Sequence, residues 1–216
     1  MKRWMFAVPV LAAGLCLVAL AADPAKPAPA NPATPGAGAN PGVGAIPGAA
    51  ASHVSELIVK DVKEVPVFVY GSAKTTQMKI RETLMETFGE ALFSKVKAAG
   101  VMPMGAPVFI YHGATGDPDQ EFSLETGVPI EAAGAAALAK ADLGKFKVRK
   151  LEAFHCASVY YTGPVSGLGQ AFAKLYPDIA KSGYQPTDEM REVYLAWEGP
   201  DSPNNVIELQ VGISKP

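Results

Sequence analysis

Two stretches of this chain carry the same signals in the same order: a strand ending at Gly, an amphipathic helical run, a Gly stop, a Pro-bearing turn and an aromatic strand. The first has Val67-Phe68-Val69-Tyr70-Gly71, then Leu84, Phe88 and Leu92, then Gly100, Pro107 and Phe109-Ile110-Tyr111. The second has Ala157-Ser158-Val159-Tyr160-Tyr161-Thr162-Gly163, then Leu168, Phe172 and Leu175, then Gly183, Pro186 and Val193-Tyr194-Leu195. Gly100 to Gly183 and Tyr111 to Tyr194 are each 83 positions apart (183 − 100 and 194 − 111), and Phe88 to Phe172 is 84 (172 − 88). This is an internal duplication. Each copy has one apolar face to bury and the other copy offers a complementary one, so the pair is expected to pack about a pseudo-twofold axis with a cleft between them.

The duplication leaves the first quarter of the chain outside it. Lys2 and Arg3 precede an uncharged apolar run from Trp4 to Leu20, and Ala19-Leu20-Ala21 has the small-x-small pattern that signal peptidase reads. Residues 1–21 therefore read as a signal peptide, and the protein as exported, to the periplasm or beyond the cell. Residues 22–52 are almost wholly Ala, Pro, Gly and Asn, too poor in large apolar side chains to offset the entropy of ordering, and read as a disordered linker. The folded domain is expected over residues 53–216. Without Lys2 and Arg3 the chain has 17 basic (19 − 2) and 21 acidic residues, a formal charge of −4, which does not suit nucleic acid. Cys16 falls in the signal, so Cys156 alone remains and no internal disulfide is possible. After signal cleavage no membrane insertion is expected; the sequence leaves the oligomeric state open, and whether the signal is cleaved or kept as an anchor.

Within the domain, Val54 to Val69 reads as one or two strands, with Pro66 as an edge or bulge signal. Ile80, Leu84, Phe88, Leu92 and Val96 predict one long helix from about Thr76 to Ala99, stopped by Gly100. Val108–His112 and Glu121–Thr126 read as strands, and the Ala-rich run from Pro129 to Leu143 as a short helix or a surface excursion. Phe146–Ala153 and Ala157–Tyr161 follow as strands. A second helix begins near Pro164 with Leu168, Phe172, Leu175 and Ile179 on one face, and Pro177 is expected to kink or restart it. Arg191–Trp197 and Val206–Ile213 close the chain as strands. The fold class is α+β.

In the last strand Ile207, Leu209, Val211 and Ile213 point one way and Glu208 and Gln210 the other. Glu192 and Tyr194 share a face of the strand before it, and in a hairpin Glu208 is expected close to one of them. Tyr111, Phe122, Tyr160 and Tyr161 are candidates to complete an aromatic groove with a carboxylate at its floor, a site for a cationic or polarised apolar ligand. The plainer reading is a solvated strand glutamate and aromatics that only pack. Other chemistry finds little support. His53, His112 and His155 are too scattered for a metal set, His155 and Cys156 face opposite sides of a strand, and Gly167-x-Gly169 lacks the rest of a dinucleotide motif. No metal and no cofactor are expected.

The chain resembles the GyrI-like family, the effector-binding domain found attached to AraC-type and multidrug-responsive regulators. The resemblance spans roughly Val54 to Ile213. It rests on Tyr161-Thr162-Gly163-Pro164, on Gly183 and Pro186, on Arg191-Glu192-Val193-Tyr194-Leu195 and on Val206-Ile207-Glu208-Leu209-Gln210-Val211; Phe109-Ile110-Tyr111 and the run from Phe122 to Pro129 match the family's middle strands. It implies two strand–helix–strand–strand units forming a curved antiparallel sheet, with both helices on one face and the ligand cleft on the other. It also implies a buried acidic residue and aromatics holding cationic lipophilic compounds, or, as in some stand-alone members, hydrolysis of reactive metabolites. Glu208 matches the closing-strand glutamate and Glu192-x-Tyr194 the motif before it. The chain departs from the pattern at Gly212, where Pro is usual, and in carrying an export signal where relatives carry a DNA-binding domain.

Three functions remain open on the sequence. The leading one is a binding protein with Glu208 as electrostatic anchor and Tyr194, Trp197, Tyr160 and Tyr111 as walls. A hydrolase would use Glu208 or Glu192 as general acid or base in the same groove. A structural or protein-interaction domain would fill the cleft with its own side chains.

Overall fold

A computed structural model describes residues 52–216; the expected signal peptide and nearly all of the linker lie outside them. The strands are β1 (His53–Val54), β2 (Ile58–Val62), β3 (Val65–Thr75), β4 (Val108–His112), β5 (Phe122–Ile130), β6 (Lys147–Leu151), β7 (Phe154–Thr162), β8 (Gln185–Ala196) and β9 (Val206–Ser214). The helices are α1 (Ile80–Thr87), α2 (Glu90–Ala98), the single turn α3 (Ala135–Leu138) and α4 (Leu168–Lys181). All strand pairs are antiparallel, in the order β1-β7-β9-β8-β4-β5-β3-β6, with β2 also on β7. The class is α+β, as expected from the sequence.

The duplication is visible in that order. One unit is β3, the α1–α2 pair, β4 and β5; the other is β7, α4, β8 and β9. The two meet at β4 and β8, and the sequence of strands outward from this seam is the same on both sides. The strands flanking the units are exchanged: β2, which leads into the first unit, pairs with β7 of the second, and β6, which leads into the second, pairs with β3 of the first.

The helices cover one face of the sheet. Leu168, Phe172, Leu175 and Ile179 of α4 are buried, with Val159, Tyr161, Ile207, Leu209 and Val211 in the same core; each such side chain contributes about 1.5–3 kcal/mol. On the first unit, Ile80, Leu84, Phe88, Leu92 and Val96 meet Val67, Val69, Phe109 and Tyr111. Gly71 permits this docking, since a Cβ there would lie 2.3 Å from the carbonyl oxygen of Thr87. The same end of α1 is held by Thr126, whose hydroxyl donates to the Thr87 carbonyl at 2.9 Å.

One helical expectation is corrected. The run expected from Thr76 to Ala99 is divided, because Phe88 is extended and Gly89 adopts φ 87°, ψ −153°, a conformation essentially confined to glycine. The apolar spacing survives the break, as Phe88 remains buried. The second helix, α4, runs on through Pro177 and does not restart there; Ala173, whose carbonyl loses its amide partner to the proline, is exposed. Pro66 does mark an irregularity, the β3–β6 register shifting between Val65 and Phe68. The Ala-rich run becomes α3 with Leu138 buried, and Gly100 and Gly183 are left-handed at φ 73° and 81°.

On the helix-free face, Phe68, Val108, Ile110 and Leu151 form a second, smaller apolar cluster. The sheet curves. Arg149 of β6 comes within electrostatic reach of Arg191 of β8, although three strands lie between them.

Candidate functional site

The β8–β9 hairpin decides which candidate residues meet. Val193 is opposite Glu208, Glu192 opposite Leu209, and Tyr194 opposite Ile207. Directly paired residues share a face, and side chains alternate along a strand. Glu208 therefore lies on the helix-free face with Tyr160, its partner on β7, while Glu192 and Tyr194 face the helices. The expectation that Glu208 lies beside Glu192 or Tyr194 is thus corrected by the register, and the single groove divides into two sets of residues.

On the helical face, Glu192 is fully buried. Tyr194 and Tyr111 both donate their hydroxyls to its Oε2, at 2.8 and 3.1 Å, and its Oε1 has no partner. Tyr111 reaches it because β4 lies against β8 in a register that sets Phe109 opposite Glu192 and Tyr111 opposite Met190. Burial raises the Glu192 carboxyl to about 7, the two tyrosine hydrogen bonds opposing the rise. Both tyrosines are raised well above 10, first by burial and then by the adjacent carboxylate. An apolar interior disfavours the ion, and two donors only partly replace water.

Aromatic rings connect this carboxyl to the surface. Phe109 is 4.7 Å from Tyr194 between centroids, Phe88 is 5.0 Å from Phe109, and Phe93, 37% exposed, is 5.4 Å from Phe88. Trp197 meets Tyr194 edge to face at 5.5 Å, and Phe122 lies 6.0 Å from Tyr111. Phe88 sits at the α1–α2 break. Phe88, Phe93 and Phe109 were not among the sequence candidates; the alternation Phe109-x-Tyr111 placed two aromatics on one face, but only the pairing of β4 with β8 directs that face at Glu192. Tyr161, also on the helical side, is engaged elsewhere, donating to the Pro164 carbonyl at 2.6 Å.

On the other face, Glu208 accepts from Ser158 and pairs with Lys60 at 2.5 Å, and Lys60 lies over the Tyr160 ring. Among the described residues no group of three His, Cys, Asp or Glu is placed to hold a metal, and no helix is long and apolar enough to cross a membrane. Burial lifts the Cys156 thiol to about 11, which makes it a poor nucleophile.

A family model for the GyrI-like small molecule binding domain matches residues 59–214. The chain belongs to the GyrI-like family. Among solved structures, this GyrI-like chain is similar to the EcmrR C-terminal domain, at 18% identity and a TM-score of 0.59 over 74% of this chain and 98% of that one. It matches EcmrR in its complex with DNA with the same score, there spanning 58% of that chain's length. It is also similar to SAV2435 bound to tetraphenylphosphonium, at 13% identity and a TM-score of 0.52 over 74% of this chain and 94% of that one. At these identities the likenesses concern the fold. No curated protein matches the chain in sequence.

Proposed function

We propose that this GyrI-like domain is an exported binding protein for a lipophilic, cationic aromatic molecule, held with its positive charge against Glu192 and its rings among Tyr111, Tyr194, Phe109 and Trp197. The observation that carries the reading is the Glu192 carboxyl, buried, with one oxygen unpartnered and set within aromatic rings. A bound cation supplies the counter-charge that the free protein lacks, and the ring faces add cation–π attraction. SAV2435, of similar fold, has been seen with tetraphenylphosphonium, which makes that cation the natural first probe. The run of Phe88 and Phe93 at the α1–α2 break is the approach by which such a ligand reaches the carboxyl. Export rests on the sequence of residues 1–21.

Binding favours ionised Glu192 and so releases a proton. Calorimetric titration with tetraphenylphosphonium is expected to show affinity rising with pH through about 7 and levelling above it, with binding lost in Glu192→Gln. Equal binding by the variant, or an affinity that does not change with pH, refutes the assignment.

The same carboxyl near 7 favours a second reading, a hydrolase in which Glu192 moves a proton to or from a water. Glu208, tied to Lys60 and Ser158, suits that task less. Turnover of a bound compound that stops in Glu192→Gln while binding persists would distinguish the enzyme.

A further inference from the structure

The helix-free face holds charged and polar side chains that the Glu192 site does not use. Ser158, Gln210 and Arg191 form one row across β7, β9 and β8, and all three are at most 4% exposed. Glu208 stands one pleat along from Gln210. Arg149 stands on the same face, on the edge strand β6 opposite Phe68, and its charge is felt at Arg191. Ion pairs on this face include Lys60–Glu208, Arg191–Glu189 at 2.7 Å and Arg149–Glu125 at 2.5 Å. Their charges sum to zero.

Two polar atoms of this set have no partner, the Gln210 Oε1 acceptor and the Arg149 Nε donor. A buried polar atom without a hydrogen bond is destabilising by about 1–3 kcal/mol, and folded proteins keep few of them. The floor is approachable: Val193, beside Glu208 in the register, is half-exposed, as are Tyr160 and Tyr70 on the same face.

We propose that this face is a second ligand site, for a small zwitterion of the α-amino-acid type, its carboxylate taken by the guanidinium groups of Arg191 and Arg149 and its ammonium by Gln210 Oε1 and Glu208. Three requirements select that class. The orphan acceptor needs an N–H or O–H donor, and the orphan donor needs an oxygen. The charges of these pairs are mutually compensated, and Arg191 and Glu208 among them are buried, so a ligand of net charge leaves one charge uncompensated beside them; a zwitterion adds none. A lipophilic cation meets neither the donor requirement nor the charge balance, so the two faces discriminate between different ligands.

The test is calorimetric titration of the full protein with L-alanine, beside glycine betaine, which has the same charges and no N–H, and L-alaninamide, which is a cation. Saturable binding of L-alanine alone is expected, reduced at least tenfold in Gln210→Leu and in Arg149→Lys. The second variant keeps the charge at an edge position and exchanges the guanidinium, with its Nε donor, for a single ammonium, so it reports on the site even if Gln210→Leu disturbs packing. Glu192→Gln is expected to bind L-alanine as the parent does, which separates this site from the one on the helical face. Binding of betaine or alaninamide as tightly as L-alanine, binding undiminished in Arg149→Lys, or no saturable heat with L-alanine overturns the proposal.

Discussion

Replacing Glu192 with Gln should alter how stability depends on pH more than it alters stability itself. In the folded protein the carboxyl is raised from an ordinary 4.5 to about 7, chiefly by burial. Below about pH 4.5 the group is protonated in both the folded and unfolded states. Between there and about 7 the unfolded chain gives up the proton while the folded protein keeps it, so the folded state binds more protons and stability falls as pH rises. Above about 7 both forms are ionised and the fall ends. The interval corresponds to about 3 kcal/mol. A glutamine side chain in this place would occupy nearly the same volume and still accept from Tyr111 and Tyr194, but it cannot ionise. Urea unfolding of both proteins at about pH 5 and pH 8 isolates the effect, because every other titrating group is shared and cancels in the double difference. The parent should lose about 2–3 kcal/mol more than the variant on going from the lower to the higher pH. Parallel pH dependence, or a variant that loses more, would refute the argument that Glu192 is a neutral, desolvated acid at rest.

Two further outcomes follow from neighbouring contacts. Tyr194→Phe removes one of the two donors that favour ionised Glu192, so the pH midpoint for tetraphenylphosphonium binding, followed by titration calorimetry, should move above that of the parent. Gly71→Ala would set a Cβ 2.3 Å from the Thr87 carbonyl oxygen and push α1 off the sheet, with a loss of about 1–3 kcal/mol or more in urea unfolding; unchanged stability would mean that α1 docks elsewhere.

The duplication made the fold legible. Spacing alone paired the two units, and the stripe of α4 was readable because Leu168, Phe172, Leu175 and Ile179 obey one helical period. The break at Phe88-Gly89 was not, since a period of about four residues persists across it and one glycine is tolerated in many helices. Site residues were legible by type and not by face. Alternation placed Glu192 with Tyr194, but the distribution of candidates over the two sides depends on Val193 standing opposite Glu208, and a shift of one residue reverses it. The pairing of β4 with β8, which brings Tyr111 to Glu192 from 81 residues away (192 − 111), leaves no local trace in either strand.

The exchange of β2 and β6 between the units has a consequence for synthesis. Ile58 finds its place on β7 at Ser158, 100 residues later (158 − 58), and Phe68 finds Arg149 after 81 (149 − 68). A nascent chain that has finished its first unit still lacks β6 to shield the outer edge of β3, and its own Ile58–Val62 has nothing to pair with. Contacts this distant form slowly, and an uncovered strand edge is where chains aggregate. Until β7 exists, the open edge of β3 and the unpaired β2 of a neighbouring copy are complementary to the wrong molecule, so crowded synthesis favours tangles between copies that a single completed chain avoids.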